Sequence, residues 1–318
     1  MKFSGRVFLS IVLALAAVGC ASSSSSDRTQ FSSPDAAAKS LVGALRANDR
    51  ARLDEILAPA ADDILSSGDP VADRADAMRF LALYDAGHRI QAEPDGVHTL
   101  IVGQADWPFP VPIVKSQGKY VFDAETGREE ILNRRIGRNE LNAQQVCLAI
   151  VDAQREYVAL RPMGGELPEY AQKLVSDTGK KNGLYWPTGE GEPASPLGPL
   201  VASAATEGYG ASTAPSSAQP AYHGYHYRLL TGQGPHATGG ALPYLVDGRL
   251  IGGFAVVAYP AQYGNSGIMT FITNHDGIVY QRDLGPETEI LAQQFKSFDP
   301  GPEWTKVTED QTQMVQRD

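Results

Sequence analysis

The sequence predicts an α+β protein built as two modules in series, and three observations carry that prediction. Apolar residues recur at helical spacing from Phe31 to about Ala58 and from Arg74 to Tyr84, then at strand spacing from His98 to Phe122. A second helical pattern runs from Ala143 to Tyr157. After a Pro/Gly-rich stretch, alternating segments follow from Tyr222 to Tyr280. Helices followed by runs of strands indicate antiparallel sheets covered by helices. The expected organisation is a signal peptide over residues 1–19 and a Ser-rich tether over 20–30. An N-terminal module over 31–125, a C-terminal module over 126–305 and a polar tail over 306–318 complete it.

The first segment is an export signal. Lys2 and Arg6 form its basic start, and Val7 to Val18 form its apolar run of about a dozen residues. That run is shorter than the roughly 20 residues that span a bilayer. Cys20 follows Leu15-Ala16-Ala17-Val18-Gly19, which resembles a bacterial lipobox, in which the thiol is acylated and becomes the new N-terminus. Ala21 after it, where Asp would retain the protein at the inner membrane, implies the outer membrane. The expectation is a cell-envelope protein held by a lipid anchor on the periplasmic side.

Ser33-Pro34-Asp35 opens a helix with a cap and a first-turn proline. Asn48-Asp49 divides it from a second helix reaching about Ala58, and a third runs from Arg74 to Tyr84. His98–Val102, Val111–Lys115 and Lys119–Asp123 read as strands, with Gln117-Gly118 at a hairpin turn. This order, with Ala44–Asp49, resembles small cone-shaped domains of the nuclear-transport-factor-like or cystatin-like type. Glu129–Glu140 reads as a charged connector into a further helix capped by Asn139 and ending near Leu160. Glu169–Val175 reads as a short helix, and Gly183–Ala221 as loop. Tyr222–Leu230, Gly253–Tyr259, Gly267–Thr273 and Ile278–Tyr280 read as strands, with Asn274–Gly277 as a turn. A long helix followed by an antiparallel sheet resembles the globular part of pilins, without their cleavage site or hydrophobic stalk.

Several longer phrases carry a further resemblance. Arg134–Leu141, Asp152–Tyr157, Asn182–Trp186, Ser195–Leu200, Tyr222–Tyr225, Ala258–Gly264 and Tyr280–Gly285 together resemble the bacterial exported-protein family of domain of unknown function 2950. The likeness spans nearly the whole mature chain. It implies location and brings no activity, substrate or catalytic residues.

Composition narrows the function classes. Net charge is −10 and becomes −12 once Lys2 and Arg6 leave with the signal, so the surface is unsuited to nucleic acid. The chain has two cysteines, and acylation of Cys20 leaves Cys147 without a disulfide partner. Cys147 sits in a helical apolar pattern and reads as core.

Candidate chemistry is sparse. His223 and His226 are three apart, so on a strand they point to opposite faces and cannot share one ion. A metal would need His236 or His275 and a carboxylate to join them. His275-Asp276 offers an acid–base pair at a turn, with Asp283 beyond it. No nucleophile elbow, His-Glu-x-x-His or phosphate loop occurs. Gly239-Gly240 and Gly252-Gly253 lack the helix that dinucleotide binding requires, so no cofactor is expected. Tyr185-Trp186-Pro187 places two aromatic rings in a long loop, a pattern common at partner-binding sites.

The favoured reading is a non-enzymatic envelope lipoprotein that binds a protein partner or supports an assembly. One alternative is a periplasmic hydrolase or metal-dependent enzyme using His223, His226, His275 and Asp276. Another is a small-ligand site in the N-terminal module lined by Trp107, Phe109 and Tyr120.

Overall fold

The computed structural model describes residues 28–164, 167–209 and 221–308. The signal segment, Cys20 with its tether up to residue 27, and the chain after residue 308 lie outside the described residues.

The N-terminal module begins with α1 (Pro34–Ala47), α2 (Arg50–Ile56), α3 (Ala61–Leu65) and α4 (Pro70–Ala86). Ser33 caps α1 by accepting from the Ala36 N–H, and Asn48 ends it in the left-handed region at φ 51°. Five strands follow: β1 (His88–Ala92), β2 (His98–Val102), β3 (Trp107–Pro108), β4 (Ile113–Ser116) and β5 (Lys119–Phe122). They form an antiparallel sheet in the order β1-β2-β4-β5, with β3 also paired to β2. Gln117 and Gly118 turn the β4–β5 hairpin with positive φ at both positions, as the dipeptide predicts. Leu41, Ile56, Leu100, Ile113 and Phe122 pack as one core between helices and sheet.

A single helix, α5 (Ala124–Leu160), then runs for 37 residues, about 55 Å. This corrects the connector expected at Glu129–Glu140 and the cap expected at Asn139. The charged residues support the helix through pairs such as Arg134 with Glu130 at 2.6 Å. Asn139 donates its side-chain amide to the Ser266 carbonyl at 2.9 Å instead of turning on its own backbone. Ala124 and Ile131 belong to the first core and Ala143 to Tyr157 to the second, so the cores change hands inside one helix. The expected boundary at 125/126 is therefore the first turn of an element that both modules share.

The C-terminal module adds β6 (Lys173–Val175), β7 (Gly183–Tyr185), α6 (Gly198–Glu207) and β8 (Tyr225–Leu230). Two short ribbons come next: β9 (Gly232–Gln233) with β10 (Leu242–Pro243), and β11 (Leu245–Val246) with β12 (Arg249–Leu250). Then come β13 (Ala255–Pro260), β14 (Met269–Asn274), β15 (Tyr280–Asp283), α7 (Thr288–Gln294) and β16 (Thr305–Lys306). The main sheet is antiparallel in the order β16-β15-β14-β13-β8. In place of the helix expected at 169–175, residues 173–175 form β6 and the residues before them have no regular structure. The Gln154 side chain exchanges hydrogen bonds with the Ala171 backbone at 2.8 and 2.9 Å, and β6 pairs parallel with β7. The loop expected over 183–221 contains α6, started by Pro199 in its first turn and ended by Gly208 at φ 103°. The tail expected from residue 306 starts within β16. The class is α+β as predicted, and the pilin likeness extends only to a long helix lying on an antiparallel sheet.

Candidate functional site

The chemistry-bearing side chains gather where α5 passes from one core to the other. Arg135, Arg138, Asn139 and Glu140 fall within two turns of the helix and face the seam between the modules. Arg135, 7% exposed, donates to the carbonyls of Asp63 (2.9 Å), Ile64 (2.8 Å) and Ser66 (3.3 Å) and to the Asn265 side chain. A cation placed on the unpaired carbonyls at the end of α3 complements the negative end of that helix. Burial lowers the Arg135 pKa from its ordinary value, and nearby Asp73 opposes that shift. Arg138 forms a two-bond pair with Asp76 of α4 at 2.6 and 3.1 Å.

Asp69 is the centre of the second contact. Its residue is 2% exposed. One carboxylate oxygen caps α4 by accepting from the Val71 and Ala72 N–H groups. The other accepts from the Tyr209 hydroxyl at 2.6 Å and from the Gly224 N–H at 3.1 Å. Gly224 lies in a two-residue turn, Tyr222 to Tyr225, in which His223 (φ 50°) and Gly224 (φ 74°) are both left-handed. A Cβ at Gly224 would meet the Asn139 amide at 2.6 Å, so glycine is needed for closeness as well as for φ.

The turn holds His223 against Glu207, with Nε2 3.4 Å from the carboxylate. The Tyr222 and Tyr209 rings pack on the imidazole at 4.1 and 5.8 Å between centroids. Burial lowers the His223 pKa, Glu207 and Asp69 resist that, and Arg138 adds to it. Burial raises the Tyr222 hydroxyl to about 12, and its contact with Glu207 adds to the shift. Burial and the bond to Asp69 also raise Tyr209. The site thus joins Asp69 to Tyr209, and Glu207 to His223 and Tyr222, through side-chain contacts. Asp69, Glu207 and Tyr209 were not among the sequence candidates. Their partners lie 14 to 155 residues away in sequence, as Tyr209 from His223 and Asp69 from Gly224 do.

The sequence candidates do not converge. His223 precedes β8 in a turn, so the strand geometry expected for it is corrected. His226 is on β8, with its ring 5.4 Å from Tyr259. His275 follows Asn274, which pairs with Ala255, whereas the His223 turn adjoins the Tyr225–Pro260 pair at the other end of the same strands. Six-residue strands place those ends about 17–20 Å apart. Asp283 shares the His223 end but sits three strands away, about 14 Å. His275 packs edge-on to Tyr244 and Phe254, and its Nε2 is 3.8 Å from Asp276. Among the described residues, no three His, Cys, Asp or Glu side chains are gathered so as to hold a metal ion.

The aromatic candidates are largely packing. Trp186 is 7% exposed and packs edge-on to Tyr157, with Lys181 over its face. Its ring is therefore part of the C-terminal core rather than presented to a partner, and only Tyr185 of the pair is half-buried. Phe109 packs on Phe80 and Phe122, Arg134 covers Trp107, and Tyr120 meets His98 edge-on, so these rings are filled in by neighbours. Cys147 is fully buried, and desolvation raises its thiol to about 12. That is the state of an inert core cysteine.

Glu140 closes the seam by accepting from the Ile268 and Met269 N–H groups, each at 3.0 Å. Burial raises its pKa, the two bonds oppose that, and Asp283 adds to it. A carboxyl raised in the folded state binds a proton that the unfolded chain has released. Its contribution therefore declines as pH rises from the unfolded value near 4.5 through the raised folded value. Glu140→Gln removes that titration. Denaturant titrations from pH 4 to 7 are expected to show the variant gaining stability relative to the parent as pH rises. A difference independent of pH would refute the assignment.

A family model described as protein of unknown function (DUF2950) matches residues 28–307. No curated protein and no solved structure matches the chain.

Proposed function

The chain belongs to the DUF2950 family, and from that premise we propose that it is a non-enzymatic cell-envelope lipoprotein. It is anchored through Cys20 on the periplasmic side of the outer membrane and binds or supports an envelope protein. The observation that carries this reading is the separation of the histidines: His223 and His275 occupy opposite ends of the main sheet. A metal or triad mechanism needs such groups within hydrogen-bond reach of one reacting atom. The lipobox-like run ending at Cys20 supports the anchor. Three acyl chains on one cysteine exceed the two hydrophobic signals that stable anchoring takes.

One feature favours a hydrolytic alternative, the His223–Glu207 pair, in which a carboxylate orients an imidazole as in a general-base dyad. In vivo crosslinking and pull-down of the tagged chain separates the two readings. A stoichiometric envelope partner, together with incorporation of labelled palmitate that is lost in Cys20→Ser, supports the lipoprotein. A parent chain that takes up no palmitate refutes the anchor. The absence of a partner, with ester or peptide hydrolysis lost in His223→Gln, supports the enzyme.

A further inference from the structure

The two edges of the N-terminal sheet are treated differently. At β5 the incoming chain closes the edge: the Phe31 N–H donates to the Tyr120 carbonyl at 2.8 Å, and the Tyr120 N–H donates back at 3.0 Å. At the other edge lies β1, whose residues are exposed except for half-buried Ile90. Its register on β2 decides which backbone groups face outward. Gly87 and Glu93 bond inward, through Gly103 N–H to Gly87 O at 2.8 Å and Glu93 N–H to Val97 O at 2.8 Å. Inward bonding alternates along an antiparallel strand, so Arg89 and Gln91 also bond inward. His88, Ile90 and Ala92 therefore turn their N–H and C=O groups away from the sheet. Among the described residues no backbone or side-chain hydrogen bond to those outward groups is formed. An open row of this kind is a template for another extended strand.

We propose that this edge pairs with a second copy of the same chain, antiparallel, about a two-fold axis at Ile90. The register that uses all three outward residues is the one in which Ile90 faces Ile90 of the second copy and His88 faces its Ala92. That gives about six backbone hydrogen bonds, two for each directly bonded pair. The same register places Arg89 opposite Gln91 of the second copy and diagonal to its Glu93, so no like charges stand directly opposed. Asp106 already pairs with Arg89 and neutralises it, which removes the penalty of bringing two arginines near the axis. Ile90, the most buried residue of β1, then meets its own copy at the centre. A patch that matches itself in this way is the requirement for a closed two-fold dimer. The pairing does not depend on the lipid anchor or on which envelope protein is bound.

The test uses the mature full-length chain carrying Cys20→Ser, so that the outcome is separate from that of the anchor. Ile90→Cys puts the new thiols on the axis, where directly bonded residues have Cα atoms about 5.5 Å apart, within disulfide range. Ala92→Cys puts them about 14 Å apart in the same register, beyond that range. With copper–phenanthroline as oxidant, the expected result is a disulfide dimer for Ile90→Cys and monomer for Ala92→Cys. Sedimentation of the Cys20→Ser chain without an added thiol should show a reversible dimer. Ala92→Pro, which removes an outward N–H at an exposed position that β2 does not use, should return the monomer. Equal crosslinking of both cysteine variants, crosslinking of neither, or a monomer at high micromolar concentration would each overturn the proposal. So would an Ile90→Cys chain joined in cells only to a different polypeptide.

Discussion

Arg135→Ala is expected to destabilise the protein by about 3 kcal/mol, because each buried acceptor left without a donor costs about 1–3 kcal/mol. Water entering the vacated space offsets part of the loss. Three acceptors depend on this guanidinium, the carbonyls of Asp63 and Ile64 and the Asn265 side chain, while the Ser66 carbonyl keeps a donor in the Asn265 amide at 3.0 Å. The unfolding midpoint should fall by roughly 5 °C, because the unfolding entropy of a chain of this size is about 0.6 kcal/mol/K. Arg135→Lys should recover only a minor part, since an ammonium is a compact charge and cannot span acceptors that a planar fork reaches. Calorimetry of the three chains tests this. A parent-like midpoint for Arg135→Ala would mean that the seam is held elsewhere.

Gly127→Ala sets two effects of opposite sign against each other. Alanine in a helix interior is favoured over glycine by about 1 kcal/mol. At Gly127, however, a Cβ would stand 2.6 Å from the Val111 Cα and 2.9 Å from the Pro110 carbonyl oxygen. Those are backbone atoms that no rotamer change can move. Overpacking of this kind costs about 1–3 kcal/mol and occasionally more, and backbone neighbours put it at the top of that range. The expected net is a loss of about 2 kcal/mol. Gly137, ten residues along the same helix, has nothing within 4 Å of its Cβ position. Gly137→Ala should therefore stabilise by up to about 1 kcal/mol. Denaturant midpoints that move the same way for both variants would refute the close packing of α5 on the 110–111 segment.

Local elements were largely legible in advance. β2 coincides with the predicted His98–Val102, and Gln117-Gly118 and Asn48-Asp49 turn the chain as their conformational preferences require. The differences from expectation have two causes. Asn139, Glu169–Val175 and Gly198–Glu207 each have a local preference that distant partners or neighbouring residues override: Ser266 for the first, Gln154 and β7 for the second, Pro199 and an alanine-rich run for the third. Of the candidate site, His223 alone is a residue whose type and pattern in the sequence suggest chemistry. Glu207 is 16 residues before it and Asp69 lies in the other module, so no spacing pattern could have joined them.

Periodicity, caps and turn dipeptides act within a few residues, and so composition and pattern alone settled the α+β class, the order of most elements and the family likeness. The meeting of Asp69 with Gly224, Arg135 with the end of α3, and Glu140 with the start of β14 depended on folding. Each joins backbone groups that only the packed chain brings within 3.5 Å of a side chain. The continuity of α5 through the seam, which makes one joined body of two cores, follows from the same bonds.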